Sequence, residues 1–377
     1  MLPFFILSSA AAVATMAQDD SIDASGGGRC SFASHHPLRY AAKHLNGASI
    51  VVDGSLDDAA WVDAPWTSSF TDIQGPAYWS QPWFKTQVKM RYDDRFLYVG
   101  AYLQDTNIWA KLTQRNSVIF NDNDFEIFVD PVGTTHNYKE FEVNALNATW
   151  NLLLNKPYRD NGGENSTRVD PIWGFDMYGK GLKAGVYVKG TINDPNQHLH
   201  YWTVEVALPL KELAFNTTAA IPPVADSFWR INFSRVEWLI QVVNGQYQKI
   251  PNLPEENWVW SPQGAIAMHM PEKWGYLQFR KEGDAPVPLD PEFPARYQAF
   301  AIYYAQKAYQ DKNGAYTDKL AALTPYIADK SVLECLKLTY LKVNADGFYA
   351  GVSSHGYVAN IRYDSYTYVT RDDDESP

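Results

Sequence analysis

The chain has only two cysteines among 377 residues, Cys30 and Cys335, and no Cys-x-x-Cys pair. The two thiols stand either as one bridge between the N-terminal and C-terminal regions or as a free pair. Basic residues are also scarce. Lys and Arg number 32 against 43 Asp and Glu, a formal net charge of −11. That balance argues against nucleic acid and an anionic membrane as partners, because phosphate contacts need Lys and Arg. No later apolar run is long enough to span a bilayer. No Ser-His-Asp order, His-Glu-x-x-His helix or phosphate-cradling glycine loop occurs.

What is present is aromatic content and alternation. Aromatics make up 15% of the chain, with 13 Trp and 24 Tyr, and charged residues 20%. This is a globular composition. Many short period-two runs are separated by turn residues, with little helix between them. The expected fold is therefore all-β, an antiparallel β-sandwich with a small C-terminal α+β appendage. The segments read as a signal peptide over 1–17, a linker over 18–44 and the sandwich over 45–281. A Pro-rich linker over 282–296, the appendage over 297–370 and an acidic tail over 371–377 follow. The apolar Phe4 to Ala17 stretch points to secretion. So do the Asn-x-Ser/Thr sequons at Asn147, Asn165 and Asn216, which are glycan acceptors on that route, whereas Asn232 lies within a strand pattern.

The stretch from Phe120 to Leu154 organises the rest. Phe125, Ile127 and Val129 alternate with Asp124, Glu126 and Phe128. After a Pro-Val-Gly-Thr turn, Phe141 and Val143 alternate with Glu140, Glu142 and Asn144. Side chains two apart share a face, so acids and an amide line one side of a predicted strand pair. Charged groups are rarely placed in a row without a partner. A sugar, a metal ion or basic side chains would each serve. Upstream, the Asp-rich turn at Asp53, Asp57 and Asp58 offers oxygens for calcium.

The ordered set Val52-Asp53-Gly54-Ser55-Leu56-Asp57-Asp58-Ala59-Ala60-Trp61, Asp124 to Asp130, Glu142-Val143-Asn144, Trp202 to Pro209, Trp229 to Asn232, Trp260-Ser261-Pro262 and Trp274 to Leu277 resembles the family 9 carbohydrate-binding modules and the wider DOMON-like sandwiches. The resemblance covers about residues 45–281. It implies an antiparallel sandwich that clamps the reducing end of a glucan between two aromatic rings and uses calcium structurally. Carried over by position, one ring falls at Phe120, the acidic ligand at Glu126 and the amide ligand at Asn144. Two positions depart from the pattern. Glu142 stands where the family has an arginine, and Met268, followed by His269, stands near the second ring. Trp150, Trp258 and Trp260 are then the candidates to complete the clamp, with Asp124, Glu142 and His269 as further ligand-binding candidates. With the leader-like N-terminus, the expected protein is a secreted, monomeric carbohydrate binder, linked to carbohydrate catabolism and serving a separate carbohydrate-active enzyme. Calcium is the expected ion, and no haem is expected.

Three alternatives stay open. Glu126 could pair with Arg235 and merely satisfy the sheet. The acids of the Asp124–Glu142 strands could serve a glycoside hydrolase, which needs two carboxyls flanking the scissile bond. Met268 or His269, with Met177 opposite, could ligate haem in an electron-transfer DOMON-like domain.

Overall fold

The computed structural model describes residues 30–198 and 200–372. The leader assigned to 1–17, residues 18–29 of the first linker and residues 373–377 of the acidic tail lie outside the described residues. The sandwich begins with β1 (Arg39–His44), β2 (Thr71–Asp72), β3 (Thr86–Tyr92) and β4 (Phe96–Gln104). It continues with β5 (Asp124–Asp130), β6 (Tyr138–Asn144), β7 (Thr149–Leu154), β8 (Glu164–Asn165), β9 (Lys183–Val188) and β10 (Tyr201–Pro209). After β11 (Phe228–Glu237), the hairpin β12 (Ile240–Val243) and β13 (Gln246–Lys249) stands apart, and β14 (Glu256–Val259) and β15 (Gly275–Arg280) complete it.

These strands form a curled sheet in the order β8-β7-β6-β5-β11-β15-β1-β3-β4-β10-β9, folded over into two layers. Alternation decides what lies between them. Met90, Val99, Ile127, Phe141, Val204 and Phe233 all turn inward into one core. The first linker is shorter than the sequence suggests. Arg39–His44 pairs in parallel with β15 and then with β3, so it joins the two halves of the curled sheet. Its Tyr40 and Ala42 are buried, a short alternation hidden beside linker-like composition.

The Asp-rich turn is explained by a buried acid on β10. Glu205 accepts the backbone N–H groups of Asp53 and Gly54, each at 3.0 Å, and the indole N–H of Trp61 at 2.7 Å. Gly54 has φ +94°, and a Cβ there would meet the Val186 carbonyl carbon at 2.4 Å. Only glycine lets the turn lie this close to β9.

The appendage is a helix over Phe293–Asn313 packed on a four-stranded antiparallel sheet. The sheet runs β16 (Lys337–Val343), β17 (Phe348–Ser354), β18 (Tyr357–Arg362) and β19 (Thr367–Arg371). Arg371, placed by sequence in the acidic tail, ends β19, and Asp372 accepts a hydrogen bond from Ser353 at 2.7 Å. The helix likewise starts inside the Pro-rich linker. The appendage docks at the β5–β6 turn end of the sandwich. Tyr303 and Lys307 reach Asp160 at 2.7 and 2.9 Å, and Arg296 donates to the Gly133 carbonyl at 2.8 Å.

A disulfide joins Cys30 to Cys335 across 305 positions of sequence. Closing so long a loop restricts the unfolded chain, so converting both cysteines to serine is expected to cost about 2–5 kcal/mol. Chemical denaturation checks this. The wild type in reductant should match the variant, and an unchanged midpoint would mean that the bridge adds nothing.

Candidate binding face

The outward face of β5 and β6 carries the acids as alternation requires, and the register sets their neighbours. Glu126 lies directly opposite Glu142, Asp124 opposite Asn144, and Phe128 opposite Glu140. Outside them, Ser234 of β11 faces Glu126, and Trp150 of β7 faces Glu142. Like charges directly opposite in an antiparallel pair destabilise it. Here Asp124, Glu126, Glu140 and Glu142 are all buried as well.

Burial pushes the Glu126 carboxyl up to about 7. Burial, then the Glu126 charge, holds Asp124, Glu140 and Glu142 well above the usual carboxylate range. The side chains of Glu140 and Glu142 meet at hydrogen-bonding distance, a contact that a shared proton makes favourable. The Asp124 Oδ2 and Glu140 Oε2 atoms are buried with no hydrogen-bond partner.

Aromatic groups frame this acidic row. The Phe120 ring is 39% exposed, while its backbone is fixed from both sides. Its N–H donates to Glu142 Oε2 at 3.2 Å, and its carbonyl accepts the Trp238 indole N–H at 2.9 Å. The Lys249 ammonium sits over the Trp238 ring, 3.2 Å from its centroid. Trp238 and Lys249 escaped the sequence reading. Parity was the available signal for Trp238, since it continues the Ser234 and Val236 side of β11 by one step. Lys249 comes from the separate hairpin, which no local pattern ties to β5.

Several sequence candidates lie elsewhere. Trp258 and Trp260 are in the core between the layers, so neither can complete a clamp on this face. Trp258 lies opposite Arg235, whose side chain points inward. Arg235 and Glu126 are therefore on opposite sides of the sheet, and the ion pair considered between them does not form. Arg235 instead pairs with Asp105 at 3.2 Å and Glu237 at 2.8 Å. Asn144 faces the acids, yet its hydrogen bonds are spent on the fold. Its amide donates to Leu112 O and Asp122 Oδ2, and its oxygen accepts the N–H groups of Leu146 and Ala148. Trp150 does share the face, but it is buried, and the Arg168 guanidinium lies 5.0 Å above its ring.

Met268 and His269 cap the apolar end of the same face. Met268 packs against the cluster containing Phe128, Tyr138 and Trp274. His269 Nδ1 meets the Tyr138 hydroxyl at 2.9 Å, and burial lowers its pKa to about 4. Met177 is fully buried in the sandwich core, away from that cluster. The Asp-rich turn does not gather carboxylates. Asp53 bonds the Ser55 N–H, Asp58 bonds the Val51 N–H, and Asp57 is exposed. Among the described residues, the one group of His, Cys, Asp or Glu spaced to hold a metal is Asp124, Glu126 and Glu142. Of the sequons, Asn147, Asn165 and Asn216 are exposed, whereas Asn232 is buried and donates to Ser261 O at 2.7 Å.

The Asp53–Trp61 turn folded onto Glu205, followed by the acid-bearing β5–β6 pair, is also what the family comparison matches. Residues 52–222 match the family described as "Carbohydrate family 9 binding domain-like". The chain carries a family 9-like region. Strands β11, β14 and β15 continue the sandwich beyond the matched residues. No curated protein matches the chain. Among solved structures, a carbohydrate binding module family 9 from Caldicellulosiruptor kristjanssonii in complex with cellotriose is 16% identical. The match covers 67% of this chain and 100% of that one, with a TM-score of 0.41. The same description in complex with glucose gives 15%, 66%, 100% and 0.41. The family 9-like region holds Phe120 and all four buried acids. Trp238 and Lys249 come from the strands that follow it.

Proposed function

We propose that the protein binds a carbohydrate at the β5–β6 face, with Phe120 as the stacking ring and Glu126 and Glu142 as acceptors for sugar hydroxyls. One observation carries the reading. Within the family 9-like region, the half-exposed Phe120 ring stands directly beside the buried acidic row and is held there by its own backbone. An aromatic face buries the apolar face of a pyranose, and carboxyl oxygens accept hydrogen bonds from its hydroxyls. Trp238 replaces Trp258 and Trp260 as the second aromatic group at this rim. An extracellular setting belongs to the same reading. The Cys30–Cys335 bridge and the exposed sequons support it, because disulfides persist in oxidising compartments.

A glycan array followed by calorimetry tests the proposal. Phe120→Ala is expected to weaken the best glycan about tenfold, as the loss of a stacking contact of about 1.5 kcal/mol predicts. Its melting temperature should stay close to that of the wild type, because the ring is partly exposed. Undiminished binding by the variant, or no glycan bound by the wild type, would overturn the assignment.

A further inference from the structure

The acidic row gathers more carboxyl groups than its surroundings supply with partners. Asp124, Glu126 and Glu142 each bring a carboxylate oxygen to within 4.8 Å of the others. Asp124 is fully buried. One of its oxygens accepts the Val236 N–H at 3.3 Å, and the other, Oδ2, has no partner. Glu140, also buried, leaves Oε2 unpartnered on the same face. The nearby cations feel the cluster's charge, Lys249 that of Asp124 and Arg168 that of Glu142, but neither forms an ion pair with it. Arg168 pairs with Glu164 and covers Trp150. Lys249 lies over Trp238. Further acids, Asp122 and Glu255, surround the cluster without neutralising it.

We propose that Asp124, Glu126 and Glu142 form a binding site for a divalent cation of the calcium class. The donor set is all oxygen, as hard cations require. Two metal–oxygen bonds of about 2.4 Å span the 4.8 Å within which the ligand atoms lie. Asp124, whose Oδ2 has no hydrogen-bond partner, supplies one of the three ligands. The like charges opposed across β5 and β6 become ligands of a common ion. The site stands on this geometry alone and does not require that a sugar bind.

The test uses the full chain, stripped with a chelator and titrated with calcium, manganese or magnesium chloride, with no sugar present. Calorimetry should give one calcium per chain at this site. At a hundredfold excess over the dissociation constant, the melting midpoint should rise by about 4 °C. Glu142→Gln and Glu126→Gln should each abolish that rise while retaining the far-ultraviolet circular dichroism of the wild type. Two variants are used so that a folding failure in one leaves the other informative. Asp57→Asn, in the exposed turn, should keep the rise. No cation-induced shift in the wild type would overturn the proposal. So would a shift that survives in both glutamine variants but vanishes in Asp57→Asn.

Discussion

The melting midpoint of the cation-free protein is expected to fall as pH rises from 6.5 to 8.5. Glu126 and Glu237 are held protonated to about 7 and about 8 by burial, and burial raises Asp124, Glu140 and Glu142 well above the usual carboxylate range. In the unfolded chain such groups ionise near 4. Between those values the folded state binds more protons, so stability is present at low pH and is lost as pH rises. Lys139 acts oppositely. Burial lowers its pKa to about 7, so it favours folding as pH rises beyond that point. His36 and His269, depressed to about 3 and about 4, also favour folding as pH rises, but that gain is complete by about pH 7.5, once the unfolded imidazoles have lost their protons. Burial lowers Lys89 and Lys249 as well, and the more numerous raised acids dominate. Each net proton released contributes roughly 1.4 kcal/mol per pH unit. Glu126→Gln should flatten the profile. A wild-type midpoint that is level or rising across this window would show that the acidic row is not as desolvated as the structure has it.

Arg235→Ala is expected to cost about 3–5 kcal/mol, the range for breaking a buried ion pair from one side. The guanidinium is fully buried. It contacts Asp105 and Glu237, donates to Gln104 O at 2.7 Å, and lies 5.2 Å from the Trp258 ring centroid. Truncation strips both acids of the guanidinium they contact and leaves them buried in the core without it. Adding Asp105→Asn and Glu237→Gln to Arg235→Met should recover most of the loss, because a neutral set of similar volume no longer strands a charge. Denaturant unfolding reads both. A single-variant cost below about 1 kcal/mol would place Arg235 in water rather than in the core.

Much of this architecture was legible in the sequence. The alternation of Phe125, Ile127 and Val129 with acids announced a strand, and the same parity on Glu140, Glu142 and Asn144 placed a second acidic row beside it; the expected half-burial was wrong, since both faces of the two strands are buried. The facing of Glu126 and Glu142 was not legible, because register depends on the β5–β6 turn and on the core beneath it. The roles of the tryptophans failed for a related reason. Trp258 and Trp260 share a face by parity, but only the pairing of β14 with β11 turns that face into the core. Asn144 looked like a ligand residue because the fold's use for it, closing the turn to Ala148 and reaching Asp122, is local geometry that composition does not encode. Trp238 and Lys249 meet only because the β12–β13 hairpin folds back beside the end of β11.

Hydrogen–deuterium exchange with and without the best-binding glycan tests the central claim most directly. Slowed exchange confined to the segments around Phe120 to Phe128, Glu140 to Asn144 and Trp238 is the predicted result. Protection elsewhere, such as on the outer face around Trp66 and Tyr102 or at the seam with the appendage near Tyr303, would contradict the assignment of the acidic β5–β6 face as the binding site.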